Sequence, residues 1–200
     1  MNKYLQWLIV LGFLLQSPPS LCQSLSQSLA EEFGMDIPAT KEHEEALSLG
    51  EDAYMRGDYA RAAYLLLPVA EGGHTVAQMI MGLLYMDGTG VRANPAKAVE
   101  MYRRSAEQGH WGGQYFLGRS YLEGRGVPQN FVLAHMWFNL AASRADGEKE
   151  RAGILEKRDF VAKIMTPTQI EDAQRRGMEW RPHKERPSVT GQSIHRKNEP

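Results

Sequence analysis

The chain has a single cysteine, Cys22, in 200 residues, so no disulfide framework can hold it together. It also lacks an excess of charge of either sign: 23 Lys and Arg stand against 24 Asp and Glu, a formal net charge of −1. That balance argues against a nucleic-acid binder, which needs a basic stripe able to neutralise several phosphates. The 19 glycines are scattered, which excludes a collagen-like chain, and a 42% hydrophobic content excludes wholesale disorder. There is no G-x-S-x-G, and Gly88-Thr89-Gly90 and Gly124-Arg125-Gly126 lack the third glycine and preceding strand of a dinucleotide loop. His43-Glu44-Glu45-Ala46-Leu47 begins like a zinc-protease helix, but Leu47 stands where the second histidine is needed. His74 and His110 recur with the chain's symmetry and read as turn residues rather than partners on one ion. The sequence therefore predicts no catalytic residue, no metal and no cofactor.

What is present begins with an address. Lys3 precedes an apolar run of about a dozen residues, Tyr4 to Leu15, too short to span a roughly 30 Å hydrocarbon core comfortably, and Pro18 and Pro19 follow it. This is the pattern of a signal peptide over residues 1–22. Ser20 and Cys22 occupy the −3 and −1 positions for cleavage after Cys22, with a second possibility after Ser24. The expected location is periplasmic or secreted. Two alternatives stay open: a lipid on Cys22, although Leu21 and Pro19 depart from that motif, and an uncleaved segment acting as a membrane anchor. Cleavage would leave a mature chain without any thiol, so thiol catalysis is not expected.

The middle of the chain repeats every 36 residues. Laying residues 75–110 over 111–146 aligns Gln78/Gln114, Gly82/Gly118, Tyr85/Tyr121, Gly88/Gly124, Gly90/Gly126, Val91/Val127, Asn94/Asn130, Ala98/Ala134 and Ala106/Ala142 as identities. The same shift backwards pairs Ala62/Ala98, Ala70/Ala106, Gly73/Gly109 and His74/His110, so a shorter unit over 42–74 precedes the two full ones. Within a unit, Ala77, Met81 and Tyr85, then Ala98, Tyr102 and Ala106, recur every fourth residue, which is the spacing of one helix face. Between them the double glycine allows the chain to reverse, and Asn94 and Asn130 read as N-caps, with Pro95 at a first helical position. Gly82 and Gly118 fall in mid-helix, where glycine costs about 1 kcal/mol against alanine unless a neighbouring helix must come close. Close helix contact is the expected reason.

The fold class that follows is all-α, an α-solenoid of antiparallel helix pairs. Residues 147–181 read as two helices that cap its end, the second opened by the capping box Thr166-Pro167-Thr168-Gln169. Residues 23–41 read as a flexible lead and 182–200 as a disordered tail.

The string Ala77-x3-Met81-Gly82-x2-Tyr85-x2-Gly88-x-Gly90-Val91, continued by Lys97-Ala98-x3-Tyr102-x3-Ala106-x2-Gly109, resembles the Sel-one-like repeat, a relative of the tetratricopeptide repeat. Residues 111–142 carry it again, and Gly57-Asp58-Tyr59 looks like a tetratricopeptide turn. The resemblance covers roughly residues 44–144 and implies a non-enzymatic scaffold that binds a protein or peptide along its concave groove. By similarity to tetratricopeptide arrays, the groove-lining residues would be Met79, Leu83, Met86 and Asp87 in one unit and Tyr115, Arg119, Leu122 and Glu123 in the next. Such a surface, rich in methionine and tyrosine, suits an adaptable peptide groove. The competing reading is that Met79, Leu83 and Leu122 simply pack against neighbouring helices. No nucleic acid is expected, and a membrane only through an uncleaved signal segment. The alternative function is a cell-envelope hydrolase, since one branch of similar proteins is linked to β-lactams. That branch carries a cysteine pair in each repeat, and this chain has none.

Overall fold

The computed structural model describes residues 39–183, and the expected signal peptide, most of the lead and residues 184–200 lie outside the described residues. Those described form eight helices and no strand: α1 (Ala39–Met55), α2 (Tyr59–Glu71), α3 (Thr75–Asp87), α4 (Pro95–Glu107), α5 (Trp111–Glu123), α6 (Phe131–Arg144), α7 (Glu148–Ala162) and α8 (Pro167–Glu179). None of these helices is long and apolar enough to cross a membrane.

Local chemistry sets where each helix begins. The Asp58 side chain accepts from the Arg61 amide at 3.2 Å, Asn94 from Lys97 at 3.0 Å and Asn130 from Leu133 at 3.0 Å. Each satisfies one orphan amide of a helix start, a contribution of about 1 kcal/mol. Thr166 and Gln169 form the reciprocal capping box at α8. The interhelical loops are pinned back onto the helix they leave, with the Asn94 amide donating to the Tyr85 carbonyl at 2.8 Å and the Asn130 amide to the Tyr121 carbonyl at 2.9 Å. Gly90 and Gly126 have φ of 72° and 77° and lie against the backbone at Tyr59 and Pro95, the first residues of α2 and α4. The second glycine of each loop is thus where one unit touches the start of the preceding unit's second helix, and no side chain fits there.

Sequential helices pack in order: α2 on α3, α3 on α4, α4 on α5, α5 on α6 and α6 on α7, while α8 returns onto α6. The apolar positions of the repeat form one core, with Leu66, Ala77, Met81, Leu84, Ala98, Tyr102, Ala106, Leu117, Ala134 and Phe138 almost wholly excluded from solvent. Each large side chain among them contributes about 1.5–3 kcal/mol by leaving water. Two glutamines are buried among them one period apart. Gln78 donates to the Ala70 carbonyl at 3.1 Å, and Gln114 to the Ala106 carbonyl at 3.2 Å. Each ties the first helix of a unit to the last turn of the helix before it. Ile154 and Val161 of α7 and Ala173 of α8 are buried at the end of the array, closing an apolar face that a bare solenoid terminus would leave in water.

Candidate interaction surface

Helix α5 presents Tyr115, Arg119, Leu122 and Glu123 at helical spacing along one stripe. These four line a cavity of about 220 Å³ together with Phe138 of α6 and Glu156, Lys157 and Phe160 of α7. Its floor is aromatic. The Tyr115 ring meets Phe138 at 5.7 Å and Phe116 edge-on at 5.1 Å, and Phe116 stacks on Tyr102 at 5.3 Å. One rim is a paired set of charges, with Arg119 Nε 3.1 Å from Glu123 Oε1 and Arg125 Nη1 4.0 Å from Glu123 Oε2. The opposite rim carries exposed Glu156 and Lys157, and Phe160 beside them is 55% exposed. An apolar floor between two charge-balanced rims suits an apolar side chain flanked by polar groups rather than an ion.

The other four residues expected in a groove are not part of this cavity. Met79 is half-buried and its Sδ would lie 2.5 Å from a Cβ placed on Gly112, so it packs on the first turn of α5. Leu83 is half-buried, and Met86 is only 6% exposed, its carbonyl accepting from Arg125 Nη2 at 3.2 Å. Asp87 is exposed at the end of α3. Reading the sequence missed Phe138, Glu156, Lys157 and Phe160. The last three belong to α7, which lies outside the repeat register, and the one available signal was Phe160 and Ile164 spaced four apart on a highly charged helix.

A second, more open depression of about 580 Å³ is lined by Tyr85, Val91, Arg92, Ala93, Asn94 and Lys97. The Lys97 ammonium lies 4.7 Å from the Tyr85 ring centroid, and its hydrogen bond to Tyr85 holds its pKa above the ordinary lysine value.

The histidines have structural surroundings. His110 Nδ1 accepts from the Gly113 amide at 3.2 Å as a cap of α5, and burial lowers its pKa. His135 is 4% exposed with Nδ1 unpartnered; burial, then the charge of Arg158, lowers its pKa, against a smaller raising effect from Asp159. Among the described residues no three His, Cys, Asp or Glu side chains are grouped as a metal site would require.

Antiparallel helix pairs stacked in register by a 36-residue period, with a terminal pair of helices over the open end, define an α-solenoid repeat protein. Residues 75–110 and 112–146 match the Sel1 repeat, so the chain carries two Sel1 repeats. Among solved structures it is similar to a protective antigen present in uropathogenic Escherichia coli strains that displays an SLR fold. The identity is 25% over 69% of this chain, with a TM-score of 0.64, and the chain spans only 29% of that protein's length. It is also similar to a Sel1 repeat protein from Oxalobacter formigenes, 32% identical over 57% of this chain and 88% of that one, with a TM-score of 0.48. No curated protein sequence matches it. Sel1-repeat folds are generally protein-interaction scaffolds.

Proposed function

We propose that this chain is a non-enzymatic, exported scaffold that docks a protein segment on the surface formed by α5 and α7. The observation that carries this reading is the cavity itself, where Tyr115, Leu122, Phe138 and Phe160 surround an apolar space and Arg119, Glu123, Glu156 and Lys157 stand around it without a net charge. An apolar anchor seated in a pocket within a polar rim is the usual anatomy of a docking site. The hydrolase alternative finds no comparable constellation among the described residues.

A photo-crosslinking side chain placed at Phe160, with the exposed Tyr64 as a control position, tests the surface. The expected result is a discrete adduct from position 160, absent from position 64 and lost when Leu122→Glu is added while helicity is kept. Equal labelling at both positions would remove the cavity as the docking site. Export is tested separately by N-terminal sequencing of protein recovered outside the cytoplasm. A chain beginning at Gln23 or Leu25 supports cleavage at the expected sites, and an intact Met1 in the cytosol refutes export.

A further inference from the structure

Helix α7 carries an exposed stripe that begins at the rim of the α5–α7 cavity, where Glu156, Lys157 and Phe160 stand, and runs along the helix away from its buried face. Ile154 and Val161 face inward and are buried, while Lys149, Gly153, Glu156, Lys157 and Phe160 share a different face, continued by Ile164 in the turn after the helix. The spacing 149, 153, 156, 160 is the four-three-four seam along which two helices pack. Phe160 and Ile164 are 55% and 50% exposed, and a Cβ added at Gly153 would meet nothing within 4 Å. The stripe is symmetric about a point midway between residues 156 and 157. Turned end for end on itself, it sets Lys149 opposite Ile164, Gly153 opposite Phe160 and Glu156 opposite Lys157.

Resting on the scaffold reading of the α5–α7 surface, we propose that its occupant is a second copy of this chain, docked through an antiparallel α7–α7 contact about a two-fold axis. In a two-fold contact a patch must complement itself. Here the second copy's Phe160 covers the space left by Gly153, its Lys157 faces Glu156, and the lysine stem at 149 covers Ile164. Charge complementarity favours a like partner: Glu156 and Lys157 are adjacent and opposite in sign, so a reversed copy of the same pair neutralises both at once. A helix of 15 residues is about 22 Å long, so the contact is small and the association concentration-dependent.

Sedimentation of the full chain over a micromolar concentration series tests this. The expected result is a monomer–dimer equilibrium that Phe160→Glu and Lys157→Glu each abolish, with the far-UV CD spectrum kept because both side chains are exposed and the melting temperature no longer rising with protein concentration. The exchange Glu156→Lys with Lys157→Glu should restore the dimer, since the reversed pair is again complementary. Gly153→Leu should abolish it by filling the space that Phe160 enters. A wild-type chain that stays monomeric overturns the proposal, as does a dimer that survives Phe160→Glu or a charge exchange that fails to restore it. The scaffold reading is separable: if the wild type is monomeric yet position 160 still crosslinks to a different protein, docking stands and the second copy does not. A dimer also requires the position-160 adduct to have twice the mass of the chain.

Discussion

The Tyr102 ring lies so close over Gly82 that a Cβ at position 82 would overlap Cε1 and Cδ1 of the ring. One period later Phe138 stands over Gly118 in the same way but less tightly, with the nearest ring atom 3.0 Å from such a Cβ. Tyr102 and Phe138 are both almost fully buried, so neither ring can swing into solvent to make room. Gly82→Ala should therefore destabilise the fold by about 1–3 kcal/mol, the cost of overpacking exceeding a gain of about 1 kcal/mol in helix propensity. Gly118→Ala should cost less, and Gly153→Ala on the open face of α7 should stabilise by about 0.4–1 kcal/mol. Urea unfolding of the three variants measures the order; equal values would mean that ring contact does not dictate these glycines.

The two buried glutamines are not equivalent. Gln78 Oε1 accepts from Gln108 Nε2 at 3.0 Å, whereas the side-chain oxygen of Gln114 has no partner. Arg144 occupies the position corresponding to Gln108, and its guanidinium lies 4.7 Å over the Trp180 ring instead. Replacing Gln78 with leucine should cost up to about 1 kcal/mol more than the same change at Gln114, because only the former also removes a side-chain bond to Gln108 Nε2, which keeps the Gly73 carbonyl at 3.0 Å. Chemical unfolding of Gln78→Leu and Gln114→Leu checks the difference, and the reverse order would show that the orphan oxygen is not the weaker member.

Why the array was legible and its surface was not follows from what each requires. Gly82, Tyr85, Asn94, Ala98 and Tyr102 recur because helix contact, loop pinning, capping and close packing each admit few residue types, and a repeat imposes those limits again one period on. Asn94, Asn130 and Thr166 cap the helices their sequence context indicated. A docking surface is set by which helices meet. Tyr115 and Leu122 could be placed on a helix face from spacing alone, but nothing in the repeat specifies that Phe160 comes to stand across from them. Gln114 shows the same limit, since its missing partner depends on Arg144 turning towards Trp180, a residue beyond the period.

Helix α8 should owe its docking to one aromatic cluster at its end rather than to its many ion pairs. Trp180 meets Trp137 edge-on at 6.0 Å between ring centroids and lies under Arg144. Arg175 bridges Asp172 and Glu179, and Arg176 reaches Asp172 at 2.9 Å, but all these side chains are substantially exposed. Trp180→Ala should cost about 2 kcal/mol through lost aromatic packing, and Arg175→Ala no more than about 0.5 kcal/mol. Amide exchange across α8 gives a direct measure: protection should collapse in Trp180→Ala and persist in Arg175→Ala.

His135 should make the fold sensitive to mild acid. Its counterpart one period earlier is Val99, and the histidine is as deeply buried, with Nδ1 unpartnered and Arg158 close enough to oppose a second positive charge. Burial, then Arg158, lowers its pKa below the ordinary 6.5, and the nearby Asp159 offsets this only in part. The folded chain thus holds the neutral imidazole, while the unfolded chain takes up a proton first as pH falls. Stability is accordingly greatest above about 6.5 and declines as pH drops through that value towards the lower folded pKa. His110, whose pKa burial also lowers, adds a decline of the same sign. His135→Val, which restores the residue type of the preceding repeat, should flatten the loss between neutral pH and mild acid without abolishing it, because His110 remains. Urea midpoints for both proteins across that range would show it, and an unchanged slope in His135→Val would clear His135 of the effect.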